Sequence, residues 1–197
     1  MHGLIEFAAV NPPAAKSEAA AVADTLLRGL GTRLAHSACV ARQVERVGHM
    51  VDGRWQPALC EAAWLHDIGY HRRIALTGFH PLDGARWLRA SGWRPETCRL
   101  VAWHTTASTE GTLRGLGDAL AAEFAPPVPL AAAALTWADL TSSPTGAKWT
   151  ADRRVADILR RHPADSVVHR SVVAGLPDLR TATEQVEFHL ARPTEPV

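Results

Sequence analysis

The run Ala62-Ala63-Trp64-Leu65-His66-Asp67-Ile68-Gly69-Tyr70 sets an imidazole beside a carboxylate at the end of an apolar stretch. Apolar surroundings penalise both groups unless each finds a partner. Neighbours on a regular helix diverge by roughly 100°, so the two side chains share one centre only in a broken last turn. Gly69 supplies that break. A metal ion held by both groups would remove the penalty. Residues of ligand type stand on either side of the pair, His36 before it and His80, His104 and Asp139 after it. The ordered set H…HD…H…H…D offers nitrogen and oxygen donors enough for two ions.

Around these residues the chain reads as helix after helix. Ser17 suits the N-cap of a helix over 18–30 that ends at Gly29 and Gly31. In a second helix, from about Thr32 to Met50, Leu34, Ala38, Ala41, Val44 and Val47 recur near the helical period, and His36 lies in the first turns. Pro57 suits the first turn of a third helix that ends at Gly69. His80-Pro81 opens a fourth, in which Gly84 would let another helix or a ligand come close. Pro95 opens a fifth that carries Leu100, Val101, Trp103 and His104, with Trp103 as a wall of a dry pocket. A polar loop over 105–117, a short helix to Phe124, and a helix from Leu130 to about Leu140 delivering Asp139 follow. Ser142 to Thr150 reads as a loop. Two or three terminal helices, separated by Pro163 and Pro177, complete the chain. No alternating strand pattern is present, so the expected fold is an all-α, single-domain bundle over 1–197 with its motif-bearing core at about 32–150.

Hydrophobic residues make up 47% of the 197 and charged residues 21%, which points to a globular chain with a substantial core. A formal net charge of +1 gives no reason to expect a nucleic-acid polymer or an anionic membrane as partner. No stretch approaches the ~20 apolar residues of a membrane span. Cys39, Cys60 and Cys98 are scattered and odd in number, which argues for buried reduced thiols and a cytoplasmic setting rather than a disulfide framework. The first residues lack the basic-then-apolar pattern of a signal peptide.

A lone histidine on an apolar helix is more often a satisfied core residue than a ligand. His2, His49, His71, His162, His169 and His189 are read that way, with His71 the nearest to the site. The six residues of the ordered set are read differently, because each sits on or at the end of an apolar helix.

On these residues the chain resembles the HD-domain superfamily of metal-dependent phosphohydrolases. His36, His66-Asp67 and Asp139 match its signature. The surrounding wording matches too, in Leu65-His66-Asp67-Ile68-Gly69, Phe79-His80-Pro81-Leu82-Asp83-Gly84-Ala85 and Ala138-Asp139-Leu140-Thr141. The resemblance implies a metal centre between helices, and His80 and His104 imply its two-metal variant. One ion would take His36, His66, Asp67 and Asp139, and the other Asp67, His80 and His104. The cyclic-dinucleotide branch is disfavoured, since Trp103-His104-Thr105 stands where that branch has His-His-Glu and no Gly-Tyr-Pro follows. Tyr70 replaces a lysine common after the family's His-Asp-x-Gly run.

Two chemistries fit this set. The first expectation is hydrolysis of a small phosphate ester, a nucleotide or related metabolite, through two divalent ions (iron, manganese or magnesium) with Asp67 bridging them. Lys148, Arg72, Arg73 and Arg153 are the candidate phosphate contacts, with Lys148 foremost because its loop follows Asp139. The second is a mixed-valent di-iron oxygenase resembling myo-inositol oxygenase and the phosphonate-cleaving enzymes. A non-catalytic ligand-binding module is the third. The residues from about 151 to 191 carry no motif, and are assigned to packing or to a homodimer contact.

Overall fold

The first helix begins where the cap residue places it. In the computed structural model, which describes residues 17–51 and 53–192, Ser17 Oγ accepts a hydrogen bond from the Ala20 amide at the start of α1 (Glu18–Leu27). His2 lies outside the described residues. α2 (Arg33–Val47) runs on into a 3-10 turn at Gly48–Met50, and α3 (Trp55–Leu65) gives way to a second 3-10 turn at Ile68–Tyr70. α4 (His80–Ala90) and α5 (Pro95–Ala102) both start at or beside a proline, where a missing amide hydrogen costs nothing. α6 (Ala107–Leu113), α7 (Gly117–Glu123), α8 (Pro129–Leu140), α9 (Ala151–Arg161) and α10 (Val167–Leu190) follow. Among the described residues there is no strand, and the bundle is all-α and single-domain.

α3 is the hub, packed against α1, α2, α5 and α8. Its inward face, Ala58, Leu59, Ala62, Ala63 and Leu65, is wholly buried. The alanines let neighbouring helices approach closely, and each leucine contributes about 1.5–3 kcal/mol by leaving water. α8 repeats the pattern with Ala131, Ala134, Leu135 and Ala138. α9 and α10 close over α8 through a smaller cluster of Leu140, Val172 and Leu179 with Val155, Ile158 and Leu159 against it.

Four expectations need correction. α5 ends at Ala102, so His104 stands two residues past the helix. The polar stretch after it contains α6, held by packing of α6 against α7 and α10. Pro177 lies inside α10 rather than between helices. The carbonyl it leaves without a helical partner belongs to Val173, which is exposed and can reach water. Cys60 is exposed, because it falls on the outward side of α3, while Cys39 and Cys98 are buried.

Candidate metal centre

The structure brings the six ligand-type residues together from five separate segments. His66 caps α3 and Asp67 follows with φ −96° and ψ 0°, ahead of the 3-10 turn. That departure from helix turns the adjacent side chains toward one centre. A close contact between glycines delivers His80 to them. A Cβ at Gly69 would lie 2.8 Å from the His80 carbonyl carbon and 2.9 Å from the Gly84 amide nitrogen, and would overlap the His80 carbonyl oxygen outright. Gly84 thus admits the turn after Asp67 to the side of α4. Asp83 holds the approach, since its buried carboxylate accepts hydrogen bonds from the amides of Leu76, Thr77 and Gly78 and from Thr77 Oγ1.

The histidines share one wiring pattern. His36 Nδ1 lies 3.1 Å from the Ser143 carbonyl, His66 Nδ1 3.1 Å from the Ala63 carbonyl and His104 Nδ1 2.6 Å from the Val101 carbonyl. A carbonyl oxygen only accepts, so each Nδ1 carries the proton and donates. On His66 and His104 a neutral ring then presents the Nε2 lone pair to the centre, the arrangement that orients metal-binding histidines. His36 Nε2 instead donates to Asp139 at 3.0 Å and would give up that proton to bind an ion. Gly146 makes the first of these bonds geometrically feasible. Its loop lies so close on α2 that a Cβ there would sit 2.7 Å from the Ala35 carbonyl oxygen.

Asp67 is the pivot. Its Oδ1 is 3.7 Å from His66 Nε2 and 3.7 Å from His80 Nε2, and its Oδ2 accepts from Arg33 Nη1 at 3.0 Å. Two groups have ligand atoms within 4.8 Å of one another: His36, His66 and Asp67, and Asp67, His80 and His104. Asp139 belongs to neither group by that distance but lies beside the first, its Oδ1 3.0 Å from His36 Nε2, while its Oδ2 accepts from Thr105 Oγ1 at 2.6 Å. Asp67 is common to both groups.

Metal ions fit the donors present. His66 Nε2 is sealed from solvent with no hydrogen-bond partner, and an unsatisfied buried acceptor costs about 1–3 kcal/mol. His80 Nε2 and His104 Nε2 face each other at 3.1 Å, and at least the His104 nitrogen offers a lone pair. A cation between such groups satisfies them together. Burial holds the His66 imidazole down at a pKa of about 4, and burial with the neighbouring His104 holds His80 well below the ordinary value. For Asp67 burial pulls upward, but His66, Arg33, His80 and His36 outweigh it and keep the carboxyl ionised. Asp139 is likewise held well below its ordinary value, its burial overcome by His36. His36 is raised, because its bond to Asp139 and the fields of both carboxylates exceed the cost of its burial.

The four candidate phosphate contacts are not gathered here. Arg72 and Arg73 line a different cavity with Thr25, Leu26 and Trp87, and His71 lies there too. Arg153 is exposed, its guanidinium 4.2 Å above the Trp149 ring. Lys148 is exposed on the loop, bridged to Ser142. Trp103 turns away from the centre to donate to the Phe124 carbonyl at 2.8 Å. The cavity over the centre, about 140 Å³, is instead lined by Arg33, Tyr70, Arg154, Arg161 and His162 beside the ligand-type residues. On α9 the sequence reading chose Arg153 where Arg154 faces inward, and adjacent helical residues diverge by roughly 100°. Arg33, not among the sequence candidates, precedes His36 by one helical turn, the one spacing that puts it beside the centre. Thr105 carried no such signal. Its φ of +53°, unusual for a β-branched residue, sets its hydroxyl on Asp139.

Compared with known proteins, the chain matches no family model, no curated protein and no solved structure.

Proposed function

We propose that the chain is a two-metal HD-domain phosphohydrolase acting on a small phosphate ester. The order of donors along the sequence supports the family. The observation that carries the chemistry is Asp67 Oδ1 placed equally from His66 and His80, each in a separate ligand group. His36, His66, Asp67 and Asp139 would hold one divalent ion, and Asp67, His80 and His104 the other. Bound there, the ions supply Lewis acidity, which lowers the pKa of water and neutralises phosphoryl oxygens.

The chain's own residues prepare that chemistry. Asp67 stays ionised and faces both groups, while Arg33 fixes its second oxygen. The Nδ1–H bonds to backbone carbonyls lock three imidazoles in the tautomer that binds metal. Tyr70 lies flat on His80, ring centroids 4.0 Å apart, and carries the Arg33 guanidinium 3.3 Å above its own ring, so α2, the turn after α3 and α4 are clamped together. Ile158, Val168 and Val172 form an apolar side of the cavity that limits water.

The test is metal uptake followed by turnover. Protein dialysed against Mn²⁺, Fe²⁺ or Mg²⁺ should hold two ions per chain by elemental analysis, and should release phosphate from small phosphomonoesters without consuming dioxygen. Turnover that consumes dioxygen with iron bound would transfer the same ligand set to the oxygenase class. Absence of uptake of any of these ions would remove the centre itself.

A further inference from the structure

The cavity over the centre has a charge pattern that selects its ligand. Three guanidiniums line it, Arg33, Arg154 and Arg161, together with three carboxylates, Asp67, Asp139 and Glu110. With neutral imidazoles these cancel. Two divalent ions would leave the cavity at about +4, an excess that a neutral ligand cannot balance. The arginines also differ in how fully they are engaged. Arg33 is bound to Asp67, and Arg161 Nε lies 2.8 Å from Asp157. Glu110 is committed to Arg114.

Arg154 is the exception. Its Nε and Nη1 are buried and donate no hydrogen bond within the protein. Its closest carboxylates, Asp139 and Asp157, are 3.9 and 3.8 Å away, too far for one. Nη2 is not sealed and lies on the Asp139 side toward the centre, where a guanidinium without a hydrogen bond of its own has donors to offer a tetrahedral oxyanion. A neighbouring cavity of about 270 Å³ shares Arg33, Arg154 and Arg161 with the first and continues past Thr32 and Pro144. An oxyanion on Arg154 therefore has room for a substituent leading away from the centre.

Resting on the two-metal reading above, we infer that Arg154, with Arg161 beside it, is the binding site for a terminal tetrahedral dianion of the substrate. The substrate class is accordingly a phosphomonoester or a phosphonate, not a neutral polyol and not an internal phosphodiester. Arg33 completes the rim while holding Asp67. The idle donors of Arg154 and the charge left by two cations point to the same ligand from independent directions.

Inorganic phosphate serves as the probe. Metal content of the full-length chain is measured first, so that loss of the centre is told apart from loss of the anion site. A wild-type chain without metal overturns both. With two ions per chain, calorimetric titration should show phosphate binding that tightens as pH rises through the second phosphate ionisation. Arg154→Gln should weaken that binding at least about tenfold, and Arg161→Ala several-fold, with metal content unchanged. Arg161 is exposed, so its variant stays informative if Arg154→Gln folds poorly. Metal-loaded wild type that ignores phosphate overturns the proposal, as do variants that bind it with wild-type affinity. Phosphate release from a phosphomonoester, or dioxygen uptake with a phosphonate, then identifies which dianion the cradle serves.

Discussion

Replacing Gly69 by alanine tests whether the approach of α4 assembles the centre. The new Cβ would lie 2.8 Å from the His80 carbonyl carbon and 2.9 Å from the Gly84 nitrogen, where ordinary contact begins at 3.4 Å. Both neighbours are backbone, so no side chain can swing aside. The overlap with the His80 carbonyl oxygen is the tightest contact, so the turn and α4 must part by more than about 1 Å, and overpacking costs roughly 1–3 kcal/mol, occasionally more. Metal ligands tolerate displacements of only about 0.2 Å. His80 begins α4 and moves with it, whereas His36, His66 and Asp139 do not depend on that contact. Elemental analysis after equilibrium dialysis should therefore find Gly69→Ala reduced from two ions per chain to one, with a lower melting temperature. Gly84→Ala is the internal control. Its Cβ would meet the Gly69 nitrogen at 3.3 Å and Val101 Cγ1 at 3.4 Å, a mismatch of a tenth of an ångström, so both ions should be kept. Full occupancy at wild-type affinity in Gly69→Ala, or equal damage from both variants, would refute the idea that glycine contact positions the second ligand group.

Other outcomes follow from the same geometry. Asp67→Ala should lose both ions and all turnover, since Asp67 serves both groups, and normal metal content in this variant would mean the centre is wrongly placed. His80→Ala or His104→Ala should empty one position and leave the other filled, which a titration giving two unequal binding steps in wild type and one in the variant would establish. Thr105→Val removes the hydroxyl bonded to Asp139 while keeping the side-chain shape, and should cost about 1.5–3 kcal/mol in denaturant melts; an unchanged midpoint would show that the bond contributes nothing. Metal-free protein should weaken as pH falls from 6.5 to 4. Burial lowers the His66 pKa from 6.5 to about 4, so the unfolded chain takes up a proton in that window that the folded chain refuses, a loss of about 3 kcal/mol. His80 shifts in the same direction. His36 opposes them, because its raised pKa stabilises the fold at low pH and that contribution is lost only as pH rises through its folded value. Urea melts of the metal-free chain that are flat or rising over this window would contradict that balance.

How much of this was legible beforehand depended on whether a residue's chemistry was at odds with its local sequence. His66-Asp67, His104 and Asp139 each interrupt an apolar helical pattern, and a polar group in such a place needs a partner, so each could be picked out without knowing where the partner lay. Gly84, without a side chain one turn from His80, suggests close approach, and Gly69 breaks the helix after His66-Asp67; here the two meet each other. The arginines offered no such conflict. Arg33, Arg154 and Arg161 lie on the polar sides of otherwise ordinary amphipathic helices, where solvated charge is the usual outcome, and only the docking of α9 against α8 and α10 turns two of them inward. His162, read as an ordinary core histidine, lines the same cavity.

The segment after α5 shows why the remaining site residues were out of reach. Residues 105–113 combine threonines, a serine and Gly111, a composition with weak helical preference, yet α6 forms there because α10 packs across it. The contact is close: Gly175 of α10 lies where a Cβ would meet Thr106 Cγ2 at 3.1 Å. That seating comes from residues some seventy positions later and cannot be inferred from local pattern. Thr105 precedes this helix in a left-handed conformation that a β-branched residue adopts only when its surroundings enforce it. Its hydroxyl bond to Asp139 and the seating of α6 by α10 are the constraints at hand. The helix α10, which carries no motif of its own, thus sets the position of a residue bonded to Asp139. Local strain at Thr105 is the cost of joining His104, just beyond α5, to a helix whose position is decided elsewhere in the chain.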